Sequence, residues 1–139
     1  MELLISLRLP AVLENLEKLR KCVSDCARAQ RFDQKKISKI ELATEEALVN
    51  IFRYSYPNTA GEVEINCKAD GIRFIIEVID SGLPFDMASV PAPDVTADIS
   101  ERKLGGLGIL IIKKMMHEVK YRRESDRNIL TLITKKDEG

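Results

Sequence analysis

The chain holds a single histidine, three cysteines, no excess of either charge and no long apolar run, and each shortage narrows its function. Lys plus Arg number 22, as do Asp plus Glu. A balanced chain sets up no global field to attract DNA, RNA or an anionic membrane, so any phosphate site must be local. No apolar stretch approaches the ~20 residues of a membrane span, and residues 1–10 lack a signal-peptide layout. Cys22 and Cys26, one helical turn apart, could clip a metal. With Cys67 as the third thiol and no further ligand cluster, they read more simply as thiols of a reducing compartment. The expected setting is cytoplasmic, with no direct nucleic-acid or membrane partner.

What is present suits one domain. The 139 residues are enough to bury roughly two-thirds of the surface of the unfolded chain, and no repeat or linker divides them. Leu3, Ile5, Leu7 and Leu9 alternate as in a strand with one buried face, which Pro10 ends. Val12, Leu16, Leu19, Val23 and Cys26 then recur at helical spacing, predicting a helix over about 11–30. A second helix is expected from Gln34 to about Tyr54, with Ile37, Ile40, Ala43, Ala47, Leu48 and Ile51 on its core face. Residues 56–61 read as a loop. Val63 to Ala69 and Ile72 to Ile79 form a hairpin about Asp70-Gly71. Residues 87–101 have little periodicity, a pattern that suits a functional lid. Ile109, Ile112 and Met116 mark a third helix, and His117 beyond it suits a cap or the surface. A final hairpin turns about Ser125-Asp126-Arg127, with Ile129, Thr131 and Ile133 sharing one face.

Three short motifs carry chemistry. Glu46 and Asn50, four residues apart, fall on the polar flank of the second helix and can reach one ligand together; alone they also read as a solvated face. Asp80-Ser81-Gly82 ends a strand in a turn and leaves a carboxylate able to accept an exocyclic amine, although such turns are common. Gly105-Gly106-Leu107-Gly108 follows Arg102 and Lys103 and opens the third helix at about Gly108. Without Cβ atoms its backbone can approach a ligand, and free N–H groups at a helix start bind anions. A plain turn is the simpler reading of that stretch by itself.

Taken in order, E-E-A-L-V-N (45–50), D-S-G-L-P-F-D (80–86) and G-G-L-G-I-L-I-I-K-K-M-M-H-E-V (105–119) closely resemble the nucleotide-binding boxes of the GHKL ATPase superfamily with its Bergerat fold. The nearest pattern is that of the small bacterial anti-sigma-factor serine/threonine kinases, and the resemblance covers essentially the whole chain. It implies an α/β (α+β) two-layer sandwich over 1–139, a mixed, mainly antiparallel sheet covered on one face by three helices. It further implies ATP and Mg²⁺ as cofactors. Asn50 would ligate the metal and Glu46 would be the general base. Asp80 would receive the adenine amine and Gly82 would let the base approach. The backbone of Gly105, Gly106, Leu107 and Gly108 would hold phosphates, Arg102 or Lys103 would neutralise the γ-phosphate, and Thr131 would support the adenine pocket.

The implied activity is phosphorylation of a small antagonist protein of the sulfate-transporter-and-antagonist type on Ser or Thr, with a sigma factor as a further partner and a homodimer as the assembly. A carboxylate at position 46 separates the chain from sensor histidine kinases, whose acceptor imidazole needs no base. Two positions depart from the pattern. Tyr54 stands where these kinases commonly have His, and Leu104 occupies the place of the basic residue that often precedes the glycine turn. A non-catalytic adenine-nucleotide sensor is the alternative, and changing Glu46 to Gln separates the two.

Overall fold

Alternating apolar strands and two amphipathic helices build a sheet with helices on one side. In the computed structural model, residues 1–57, 59–84 and 106–136 are described, with only the backbone for 106–108. Strand β1 (Glu2–Pro10) leads through a short 3-10 turn (Leu13–Asn15) into helix α1 (Leu16–Ala29) and helix α2 (Gln34–Tyr54). Strands β2 (Glu62–Asp70) and β3 (Arg73–Asp80) follow, then helix α3 (Gly106–Met115) and strands β4 (Glu118–Glu124) and β5 (Arg127–Lys135). The sheet order is β1-β2-β3-β5-β4, and every described pairing is antiparallel. The α+β class and the mainly antiparallel sheet expected from the sequence are therefore observed, with no parallel pair among the described strands.

The core lies between sheet and helices. Leu19, Val23 and Ala27 of α1 and Ile37, Ile40, Ala47, Leu48 and Ile51 of α2 meet Val63, Ile65, Cys67, Phe74, Ile76, Val78, Leu130 and Leu132 from the sheet. Phe32 and Phe74 pack tilted, ring centroids 5.6 Å apart. Ile109, Ile112 and Met116 join this cluster, as their spacing predicts. Asp33 caps α2, its Oδ1 accepting from the Lys36 N–H at 2.8 Å. Ser24 ties the first two helices, donating to the Arg20 carbonyl (3.0 Å) and to Glu41 Oε2 (2.9 Å). The three thiols are free, Cys22 and Cys26 half-buried and Cys67 buried.

The far face of the sheet carries Ile75, Ile79, Ile129 and Ile133, all buried, in a strip across β3 and β5. Ion pairs border it: Lys68–Glu77 at 2.7 Å, Arg122–Glu77 at 3.9 Å and Arg8–Glu64 at 2.7 Å.

Three local expectations change. β1 slips register between Leu3 and Ile5 against β2. This bulge turns Leu4, with Leu7 and Leu9, onto the core and leaves Leu3 57% and Ile5 39% exposed. The hairpin turn is Gly71-Ile72, between paired Asp70 and Arg73, with Gly71 at φ +62°; Ile72, expected to begin the second strand, is therefore in the turn and exposed. The helix expected over 11–30 starts at Leu16 after the 3-10 turn, so Val12 is exposed.

Candidate functional site

Helix α2 sets the axis of the site. Asn50 is 4% exposed, and its Nδ2 donates to the Glu46 carbonyl at 3.0 Å. That bond fixes the amide and directs Oδ1, a hard oxygen donor, away from the helix turn behind it. Glu46 is half-buried. Its carboxyl is held above the usual carboxylate range by burial first and by the neighbouring Glu45 charge second, with Arg53 pulling the other way. A carboxylate poised upward in this way is a stronger proton acceptor than a solvated one.

At the C-terminal end of α2 the chain of β3 comes in. Leu83 N–H donates to the Ser55 carbonyl at 2.9 Å, and a Cβ on Gly82 would sit 2.2 Å from that same oxygen. Gly82 is thus required by its packing on the end of α2, a reason different from the approach of a base. Ser55 lies five residues beyond Asn50, about 7.5 Å along the axis, and Glu46 one further turn back. The helix therefore sets out, in order, the Asp80 turn, an amide oxygen and a carboxylate.

Asp80 ends β3 and is only 3% exposed. Its Oδ1 accepts from Gly82 N–H (2.9 Å) and from Asn128 Nδ2 (2.9 Å). Among the described residues Oδ2 receives no hydrogen bond, which leaves one buried carboxylate oxygen for a donor from outside. Asn128, which the sequence reading did not single out, is the second residue of β5 and lies directly opposite Asp80. Thr131 is not part of this group. It pairs with Glu77 and Lys120 on the far face with Ile129 and Ile133, whereas Asp80 and Asn128 share the helix face with Leu130 and Leu132. The expectation that Thr131 supports an adenine pocket is corrected by this alternation.

Gly106, Leu107 and Gly108 form the first turn of α3, which starts at Gly106 rather than near Gly108. The first N–H groups of a helix have no partner inside it and face outward. α3 packs along α2. Arg102, Lys103, Leu104, Gly105, Phe85, Asp86, Asn58 and the 87–101 stretch lie outside the described residues.

A cavity of about 950 Å³ adjoins the Asp80 turn on the far side, lined by Arg8, Tyr56, Glu64, Asp80, Gly82 and Arg127 among others. Ser55 at the end of α2 also lines it, whereas Glu46 and Asn50 do not. Tyr56 is one of its lining residues. Its hydroxyl donates to the Glu62 carbonyl and accepts from Ser81 N–H, both at 2.7 Å, and burial pushes its pKa up. Glu64 is held below the usual carboxylate range by hydrogen bonds from Arg8 and Asn66.

Comparison with known proteins gives this geometry a context. A family model described as a histidine kinase-like ATPase domain matches residues 9–134. The serine-protein kinase RsbW of Listeria monocytogenes is 26% identical over 136 residues, covering 94% of this chain and 85% of its own length. The solved RsbU and RsbW domains of Rv1364c from Mycobacterium tuberculosis are similar in fold, with a TM-score of 0.66 at 15% identity over 95% of this chain and 32% of that one. A chain of the SiaB-SiaC complex from Pseudomonas aeruginosa gives a TM-score of 0.64 at 16% identity, over 95% of this chain and 89% of its own.

Proposed function

We propose a function from one premise: the chain belongs to the histidine kinase-like ATPase domain family. It is an ATP-dependent serine/threonine-protein kinase, formed by a single domain over 1–139, that acts as an anti-sigma-factor regulator. Its substrate is a small antagonist protein of the sulfate-transporter-and-antagonist type, phosphorylated on Ser or Thr, and its second partner is a sigma factor. The naming of its relatives as serine-protein kinases supports the reaction class. One observation carries the nucleotide reading: a buried carboxylate, Asp80, with Oδ1 accepting two hydrogen bonds and Oδ2 accepting none among the described residues.

In this reading Asp80 Oδ2 accepts the adenine amine. The sugar and phosphates run back along α2 past Asn50, whose oxygen fits the hard, oxygen-seeking Mg²⁺ ion. The metal would neutralise charge on the phosphates. Glu46 takes the proton from the incoming hydroxyl as its oxygen bonds to the γ-phosphorus and the bond from that phosphorus to the bridging oxygen breaks, releasing ADP; no free alkoxide is generated. The N–H groups of Gly106, Leu107 and Gly108, with Gly105 and Lys103 ahead of them, hold the phosphates.

The assembly is a homodimer through the free edge of β1, where Met1, Leu3 and Ile5 are exposed. The setting is cytoplasmic; no helix among the described residues is long and apolar enough to cross a membrane.

Calorimetric titration of ATP, with and without Mg²⁺, tests the site. Wild type should bind Mg·ATP, and Asp80→Asn, which places an N–H₂ group where an acceptor is needed, should lose at least tenfold in affinity. Equal affinity in the two would reject Asp80 as the base acceptor. Mg·ATP binding without transfer to any antagonist protein would reject the kinase in favour of a nucleotide sensor.

A further inference from the structure

Behind Asp80 lies an amide with no hydrogen-bonding capacity left. Asn128 is 4% exposed. Its Nδ2 donates to Asp80 Oδ1 at 2.9 Å and to the Leu83 carbonyl at 2.7 Å. Its Oδ1 accepts from the Tyr121 hydroxyl at 2.6 Å and from Arg123 Nη1 at 3.2 Å. A primary amide has two N–H donors and one oxygen with two lone pairs, so all four positions are occupied. Asn128 has nothing to offer a ligand, and it acts on Asp80 instead.

The direction of the amide is set from the edge strand β4. A guanidinium can only donate, so Arg123 holds the Asn128 oxygen toward β4 and thereby turns the Asn128 nitrogen toward Asp80. Arg123 Nη1 also donates to the Gly82 carbonyl at 2.7 Å, so one side chain braces both the amide and the turn. A flipped Asn128 would set its oxygen against the Asp80 carboxylate and its N–H₂ against Arg123, two repulsions at once. Asp80 is therefore pinned by Oδ1 and presents Oδ2 as an acceptor in a fixed place.

Resting on the reading of Asp80 as the base acceptor, we infer that Asn128, oriented by Arg123 and Tyr121, is the positioning residue that makes this site prefer a purine with an amino group at position 6 over one with a keto oxygen there. A keto oxygen against Oδ2 has no proton to share, and both groups lose their water without compensation. Were the carboxylate free to turn aside, that penalty would be relieved and the preference would shrink.

ATP and inosine triphosphate differ at this group, so their dissociation constants for wild type, Asn128→Ala and Tyr121→Phe give the test, with circular dichroism melts confirming folding. Wild type should prefer ATP. Asn128→Ala should cut the preference about tenfold, mainly by weakening ATP. Tyr121→Phe touches neither Asp80 nor the base and should cut it about threefold, the worth of one hydrogen bond. Should Asn128→Ala fail to fold, Tyr121→Phe decides. ATP binding with a preference unchanged within about twofold in the folded variants overturns this inference alone. Wild type that binds no ATP, or binds both nucleotides equally, overturns the reading of Asp80 and this inference with it.

Discussion

Glu46 is the side chain whose surroundings matter most to the proposed chemistry. Burial and the Glu45 charge hold its pKa up, so the proton is favoured in the folded state. Two consequences share that sign. Ionising Glu46 weakens the fold slightly as pH rises from the ordinary glutamate range through the raised value, and phosphotransfer, which needs the carboxylate, rises with pH on a limb displaced above that range. Glu46→Gln should cut phosphotransfer by at least about 10²-fold, the usual scale of general-base loss, while leaving ATP affinity within about twofold. Single-turnover transfer measured from pH 4 to 8 checks both, and a limb that persists in the Gln variant assigns the base elsewhere. That Glu46 and Asn50 stand together was legible in the sequence, because a spacing of four on one helix brings two side chains to the same flank, and the place of Asp80 at a strand end was legible from the turn residues that follow it. Asn128 was not, since its role depends on which β3 residue it faces, and that is set by cross-strand register. Thr131 was misassigned although the alternation Ile129, Thr131, Ile133 already put it with the far-face residues.

Among the elements, α2 was readable in its bounds and in its core face, which is the one its periodicity predicts. The first strand was readable as a strand but not in its facing. A bulge adds one residue without changing the composition, and only pairing against β2 reveals it. Gly82, expected from the sequence to let a base approach, also makes a contact between elements that the sequence did not show, with no room for a Cβ against the Ser55 carbonyl. Gly82→Ala should therefore destabilise the protein by about 1–3 kcal/mol, the range for forced overpacking, and weaken nucleotide binding as the Asp80 turn lifts from α2. Urea unfolding checks the first part; an unchanged midpoint would mean that the turn adjusts freely.

At the scale of the whole molecule, the helices cover one face of the sheet and β1 is left as an edge with exposed Leu3 and Ile5. Charge on such an edge opposes strand-to-strand association. Ile5→Lys should turn the proposed homodimer into a monomer at unchanged secondary structure, as read by light scattering after gel filtration. A dimer that survives the change uses another surface. The topology was the least legible level, because nothing local in the sequence says that β5 inserts between β3 and β4.

That insertion also shapes how the protein is made. β3 gains its second neighbour only from β5, with Asn128 48 residues beyond Asp80. During synthesis, β1, β2, α1 and α2 can assemble around β3 while one of its edges and the isoleucines beside it stay bare. Non-local closure of this kind is slow, and until β5 pairs the open edge of β3 offers unpaired N–H and C=O groups to any other strand.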